Sequence, residues 1–299
     1  MIPDATPAGQ PHKTRPFYWS VRRELWENRS IHLAPLIAAG VVLLGVTIGD
    51  IHPLAIEAGG HTAGAHMSLV MAGRALYGFA AFVIYVTAAI VGIFYCLGAL
   101  HGERRDRSIL FWKSLPVSDT TTVLAKAAVP LVILPLVAFV VISATQFLVL
   151  ANAAVASAVH GDGALGAQAD VPVLRLMGIQ VYQLAVIIPW YAPLWAWLLM
   201  VSAWAKRMTF LWGVGPPLAA CVIERLVFGT SRLWSILAGR LAAPDTQAFD
   251  YRPRGLAVDL FPAMNPLRYL STPDLWVGLA LAVAFLAAAV WLRRRQEPI

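Results

Sequence analysis

Long apolar runs separated by short polar breaks make up this chain, and six of them are long enough to cross a bilayer, for which a helix needs about 20 apolar residues. The first extends from Leu33 to Ile48, with Ile31 and His32 completing the crossing and Pro35 near its start, where a missing N–H is tolerated. The second covers Ala72 to Leu97. The third runs from Thr120 to Ala156 behind Ser118 and Asp119 as caps; Pro130 and Pro135 predict kinks in it, and Lys126 is close enough to the surface to snorkel. The fourth, Leu176 to Trp204, carries Gln180, Gln183, Pro189 and Pro193. The fifth starts at Phe210, is broken by Pro216 and Pro217, and reaches Glu224 and Arg225 before Phe228, a charged pair expected to snorkel at a helix end. The sixth, Leu275 to Leu292, opens on Ser271, Thr272, Pro273 and Asp274 and ends on three arginines. This is the pattern of an all-α polytopic membrane protein with six transmembrane helices.

The polar stretches have patterns of their own. Residues 1–16 are polar and punctuated by proline, with no apolar core of a cleavable signal, and read as a disordered tail. In Phe17 to Ser30, Phe17, Val21 and Leu25 recur every four residues beside Tyr18, Trp19 and Trp26, with Arg22, Arg23, Glu24, Glu27 and Arg29 between them. That spacing predicts a helix lying on the membrane surface before the chain enters it. Residues 229–272 are too polar to span and too apolar for a plain linker. Leu233, Leu237 and Leu241 form a stripe behind a cap at Thr230 or Ser231, which predicts a short helix half-sunk in the interface.

Between the second and third runs, residues 100–121 form a charged island. Glu103, Arg104, Arg105, Asp106, Arg107 and Lys113 surround the apolar patch Ile109, Leu110, Phe111, Trp112 and Leu115, and Pro116 stops it. Tethered at both ends by spans, this is a short amphipathic helix at the membrane surface. Its apolar side is too small to be a domain and fits a groove on another protein, with a helix lying flat among the headgroups as the alternative.

Composition sharpens this picture. The 299 residues are 59% hydrophobic and only 13% charged, which excludes two soluble domains. In a soluble chain a net charge of +7 would point to nucleic acid, but here the cations cluster at span ends, so nucleic-acid binding is rejected and membrane lipid is the expected contact. With six crossings, fifteen of the 23 lysines and arginines fall on the side of both termini and the island, and most of the others belong to one long loop. The positive-inside bias makes that side cytoplasmic, as in a multi-pass protein of the cell's inner (plasma) membrane. Cys96 and Cys221 lie near opposite faces and predict no disulfide.

The catalytic signatures are missing. No Gly-Lys dipeptide, G-x-S-x-G or H-E-x-x-H occurs, so neither a P-loop nor a hydrolase nucleophile is expected and no catalytic residue is assigned. The first external loop contains His52, Glu57, His61 and His66, but without a helical pattern to converge them no metal site is expected. Uphill transport by such a chain would need energy from a partner or an ion gradient, and with Glu224 the only acid well inside an apolar run and Pro216–Pro217 the only broken span, a partner is the expected source.

The segments "RRELWENRS" (Arg22 to Ser30) and "GERRDRSILFWKSLPVSDTTTVLAK" (Gly102 to Lys126) resemble those of the permease subunits of type-2 ATP-binding-cassette exporters, six-span proteins whose ATPases are separate subunits. The resemblance implies a single permease domain over residues 17–299. Phe17, Trp19, Arg22, Arg23 and Trp26 would belong to an elbow helix, residues 17–30. Glu103 to Pro116 would contain the coupling helix that seats in the ATPase subunit, with Phe111 and Trp112 as anchors. It further implies short re-entrant helices between spans five and six, a paired second permease subunit with spans two and five along the pathway, and no cofactor in this chain, ATP and Mg belonging to the partner. Two rivals remain: a same-fold subunit that passes ATP-driven motion to an external partner without transport, and an intramembrane enzyme using the histidine loop.

Overall fold

The computed structural model describes residues 15–51, 63–106, 117–160, 173–242, 244–249 and 264–295. Among these the regular structure is helical, apart from one isolated antiparallel bridge between Phe249 and Met264. The helices are α1 (Pro16–Glu27), α2 (Ser30–Ile51), α3 (Ala63–Ala99), α4 (His101–Arg105), α5 (Asp119–Ala128), α6 (Leu134–His160), α7 (Val173–Trp204), α8 (Thr209–Phe228), α9 (Arg232–Leu241), α10 (Asp245–Ala248), α11 (Pro266–Ser271) and α12 (Pro273–Arg295). A π-helical turn, Val129–Ile133, joins α5 to α6. Six of these stretches are long and apolar enough to cross a membrane, and the chain is a multi-pass membrane protein.

Most spans begin and end close to where hydropathy places them, because the length of an apolar run fixes where a helix must leave hydrocarbon; α3 instead begins at Ala63, nine residues before the expected Ala72, and takes in His66 of the stretch read as a loop. The third is continuous through its prolines: Pro130 has no N–H to give, and the chain takes up the misfit as the π turn, in which Leu134 N–H reaches back to Val129 O. Pro135 falls in the first turn of α6, where its missing donor disturbs little.

Packing in the interior relies on small side chains, as expected where lipid removes any hydrophobic drive between helices. The buried positions of α12 are Leu275, Gly278, Ala282, Ala289 and Arg293, a narrow stripe facing α7. Ala192, Ala196 and Ala282 form one contact layer there, and Ala203 with Ala289 part of another. At Gly92 of α3 an added Cβ would lie 2.9 Å from the ring of Trp195 and 3.0 Å from Leu134, so glycine sets the approach of α7. The main core unites α2, α3, α6 and α7 through Ala39, Ile84, Ala88, Ile142 and Leu199. The fifth span is different. In α8 only Gly213 is buried, and its carbonyl accepts from Trp197 Nε1 at 2.9 Å.

At the end of the molecule away from α1, helices α9 to α11 cover α7 and α12. Aromatic groups of α7 and α11 donate to backbone carbonyls: Tyr182 to Ala248 O, Trp190 Nε1 to Arg240 O and Tyr269 to Val186 O. Ser231 precedes α9 but makes no side-chain cap, and neither does Thr230. Glu224 supplies it instead, accepting from the amides of Arg232 at 2.9 Å and Leu233 at 2.7 Å and from Thr230 Oγ1. The expected snorkelling pair is thus divided: Glu224 caps the next helix, while Arg225 donates to Gly229 O, whose φ of 65° lets the chain turn back.

Candidate functional site

Of the charged island the described residues run to Asp106 and resume at Val117; Arg107, Ile109, Leu110, Phe111, Trp112, Lys113, Leu115 and Pro116 lie outside them. What the structure places is the junction at both roots of the island, and this is the most charged interior region described.

α3 ends at Ala99 and restarts as α4, so the amides of Leu100 and His101 lose their helical acceptors. Ser202 of α7 replaces them, its Oγ accepting both at 3.0 and 2.9 Å. Arg104 in turn donates to Ala203 O at 2.6 Å, and the His101 ring bonds Ala205 O at 3.1 Å. These satisfy carbonyls orphaned at the C-terminus of α7, where the helix dipole also favours a cation.

Beside this junction six charged groups from four helices converge. Glu24 of α1 accepts from Lys126 Nζ of α5 at 2.9 Å, from Arg23 at 2.8 Å and from the Tyr95 hydroxyl at 2.9 Å. Glu103 of α4 faces Lys126 at 3.1 Å and Arg23 at 3.3 Å, and its second oxygen accepts from Arg293 of α12. Arg293 Nε also donates to Asp119 Oδ1 at 3.0 Å. Three acids balance three bases, so the group is neutral as a whole although Glu24 is 2%, Lys126 3%, Arg293 5% and Glu103 8% exposed. Such burial is tolerable only because each charge has partners close by.

Burial pushes the Glu24 carboxyl up, but Lys126 and Arg23 outweigh it and hold it below the ordinary carboxylate range. Burial would likewise lower the Arg23 guanidinium, yet Glu24, Glu27 and Glu103 keep it above its usual value. The Glu24 carboxyl therefore stays ionised at neutral pH and is not available as a general acid.

Several expectations change here. Lys126 does not snorkel; it points into the bundle because two carboxylates await it there. Glu103 and Arg104 lie in the island's first turn but spend their side chains on partners within the chain, whereas Arg105 and Asp106 pair on the surface at 3.1 Å, each more than half exposed. On α1 the aromatic residues Phe17, Trp19 and Trp26 are about half exposed or more, Arg22 stacks over Trp19 and Trp26, and Arg23 turns inward. Sequence reasoning missed Glu24, Tyr95, Asp119, Lys126 and Arg293 as one group. The available signal was that acids and bases of the island, α1 and the last span all gather at one end of the spans.

The arrangement has no nucleophile with a base beside it, and Cys96 and Cys221 are free, the former fully buried. Among the described residues no group of three or more His, Cys, Asp or Glu is placed to hold a metal. Of the histidine loop, His52, Glu57 and His61 lie outside the described residues. What the junction can do is mechanical: it ties α1, the end of the second span, the start of the third and the end of the sixth into one unit at the roots of the island. Compared with protein-family models, with curated proteins and with solved structures, the chain finds no match.

Proposed function

We propose that this chain is the membrane subunit of an ATP-driven exporter of the type-2 ATP-binding-cassette kind, moved from the cytoplasmic side by a separate ATPase seated on the island between spans two and three. The observation that carries the reading is the junction. A segment pulled by a partner does work only if its roots are held, and both roots here, Glu103 and Asp119, bind the same residue, Arg293. Displacing the island would then move spans two, three and six together with α1, a rigid-body transition of the kind packed helices support. Pairing with a second permease subunit is supported by α8, in which only Gly213 is buried among the described residues, leaving a spanning helix with few neighbours in its own chain. In this reading the chain has no active site, and ATP and Mg stay on the partner.

Trp112 and Phe111 anchor the island in the partner's groove, and Arg107 and Lys113 lie at its rim. Truncating a buried aromatic anchor commonly costs about 2 kcal/mol or more of binding, a rim charge much less. Trp112→Ala is expected to abolish co-purification of a P-loop ATPase with the tagged chain, whereas Arg107→Ala leaves it nearly intact. A photo-crosslinker at 112 that captures only lipid, or no ATP-hydrolysing protein, overturns the proposal.

One observation favours a second reading, in which motion is passed outward instead of substrate. On α9, Leu233, Trp234 and Ile236 are 44%, 53% and 69% exposed, a greasy surface at the far end. Binding of an external protein there, with no substrate-dependent stimulation of ATP hydrolysis, would select it.

A further inference from the structure

Where α1 turns into α2, a cleft of about 440 Å³ opens between Arg22, Leu25, Trp26, Arg29 and His32. Its size lies in the range of about 300–1,000 Å³ common for small-ligand sites. Its polar lining is two guanidiniums and an imidazole, with no carboxylate among the five residues. The nearby acids are turned elsewhere: Glu24 into the buried cluster and Glu27 toward Arg23 at 3.4 Å. Arg22 is held in place by stacking on Trp26, its Cζ 4.5 Å from the ring centroid.

Below the cleft the outer face of α2 continues as an apolar stripe. Leu33, Ile37, Val41, Leu44 and Ile48 recur at helical spacing, each more than half exposed. A cationic cleft at the point where a span enters hydrocarbon, followed without interruption by a greasy strip about 22 Å long, enough to seat an acyl chain, matches one kind of molecule. It is a phosphate head with an acyl tail.

We propose that this cleft binds an anionic phospholipid, its phosphate between Arg22 and Arg29 with His32 as a further donor, and one acyl chain along α2. The site is independent of the exporter reading, since it needs only that the chain spans a membrane. A bound lipid would brace α1 from outside, opposite the internal brace at Glu24.

The test is native mass spectrometry of the purified full chain in detergent, which counts only folded protein, titrated with dioleoyl phosphatidylglycerol, with dioleoyl phosphatidylcholine, or with phosphatidylglycerol in competition with inorganic phosphate. The intact chain is expected to prefer phosphatidylglycerol about tenfold. Arg22→Ala with Arg29→Ala is expected to weaken that lipid about 10- to 30-fold, while Arg295→Ala, an exposed cation elsewhere, leaves it unchanged. Arg29→Ala alone, at an exposed position, should retain about a fivefold loss and serves if the double variant does not fold. Equal retention of both lipids, displacement by phosphate at lipid-like concentrations, or an equal loss in Arg295→Ala overturns the proposal.

Discussion

Glu24 and Lys126 are 102 positions apart in the chain, yet their side chains meet at 2.9 Å, each almost wholly buried. Nothing else described fastens α1 to the third span so directly. Removing one member of a buried pair strands the other charge, a loss of about 3–5 kcal/mol, whereas replacing both by apolar groups of similar volume is often nearly neutral. Glu24→Leu and Lys126→Met are each expected to lower the detergent melting temperature and expose α1 to protease. The double variant should recover much of both effects, as a double-mutant cycle would read. Additive losses would mean that the two residues act through their other partners, Tyr95 and Glu103.

The same pair sets a pH dependence. The Glu24 carboxyl titrates below its ordinary value of 4.5 in the docked state, so its stabilisation is complete above that value and is lost as pH falls through the lower, docked one. The protection factors of α1 amides, which correct for the intrinsic pH dependence of exchange, should therefore be flat from neutrality to about pH 5 and fall steeply only in stronger acid. Glu24→Gln should begin with lower protection and show a smaller loss in acid. An α1 that loosens on raising the pH through neutrality would contradict the assignment.

The spans were legible because hydrocarbon thickness dictates the length of an apolar run; α3 outruns its apolar stretch by nine residues at its start, where glycine and alanine carry no hydropathy signal. The cluster was not, for a physical reason. Hydropathy places Lys126 within one or two turns of the surface, from which it can either snorkel or turn inward, and the choice depends on carboxylates contributed by α1 and α4. Arg293 stood among three arginines whose number oriented the chain, yet only its partners Glu103 and Asp119 distinguish it from Arg294, which reaches Thr120, and Arg295, which lies over Trp291. The Trp112 segment remains a reading of the sequence, whereas the roots that hold it are structural.

The cap on α9 makes a local prediction. Thr230 and Ser231 had the right chemistry for it, but the acceptor comes from Glu224 on the preceding helix, so the turn at Gly229 and the start of α9 depend on one carboxylate. Glu224→Ala is expected to speed hydrogen exchange at Arg232 and Leu233 and to leave the bundle's melting temperature nearly unchanged. Glu224→Gln keeps one amide oxygen as acceptor and should fall between. A global loss of stability in Glu224→Ala would place this residue in the core of the fold instead.

At the far end Arg240 occupies the space that a side chain at Gly278 would take. The guanidinium lies against the bare backbone of α12, where its Cζ would stand 2.8 Å from an added Cβ, while it stacks over Trp190 at 4.5 Å and donates to Asp274 O at 2.7 Å. Burial lowers the Arg240 guanidinium below its ordinary value, against the pull of Asp274, yet it remains charged at any physiological pH. Gly278→Ala should therefore act through collision, expelling the guanidinium and costing about 1–3 kcal/mol, as overpacking usually does. In an Arg240→Met background the same alanine should cost much less, because a flexible thioether can bend away where the planar fork cannot. Melting temperatures of the four proteins, together with protease cleavage in residues 232–241, give the coupling; an undiminished loss in the Arg240→Met background would show that Gly278 is needed for its approach to α7 and not for the arginine.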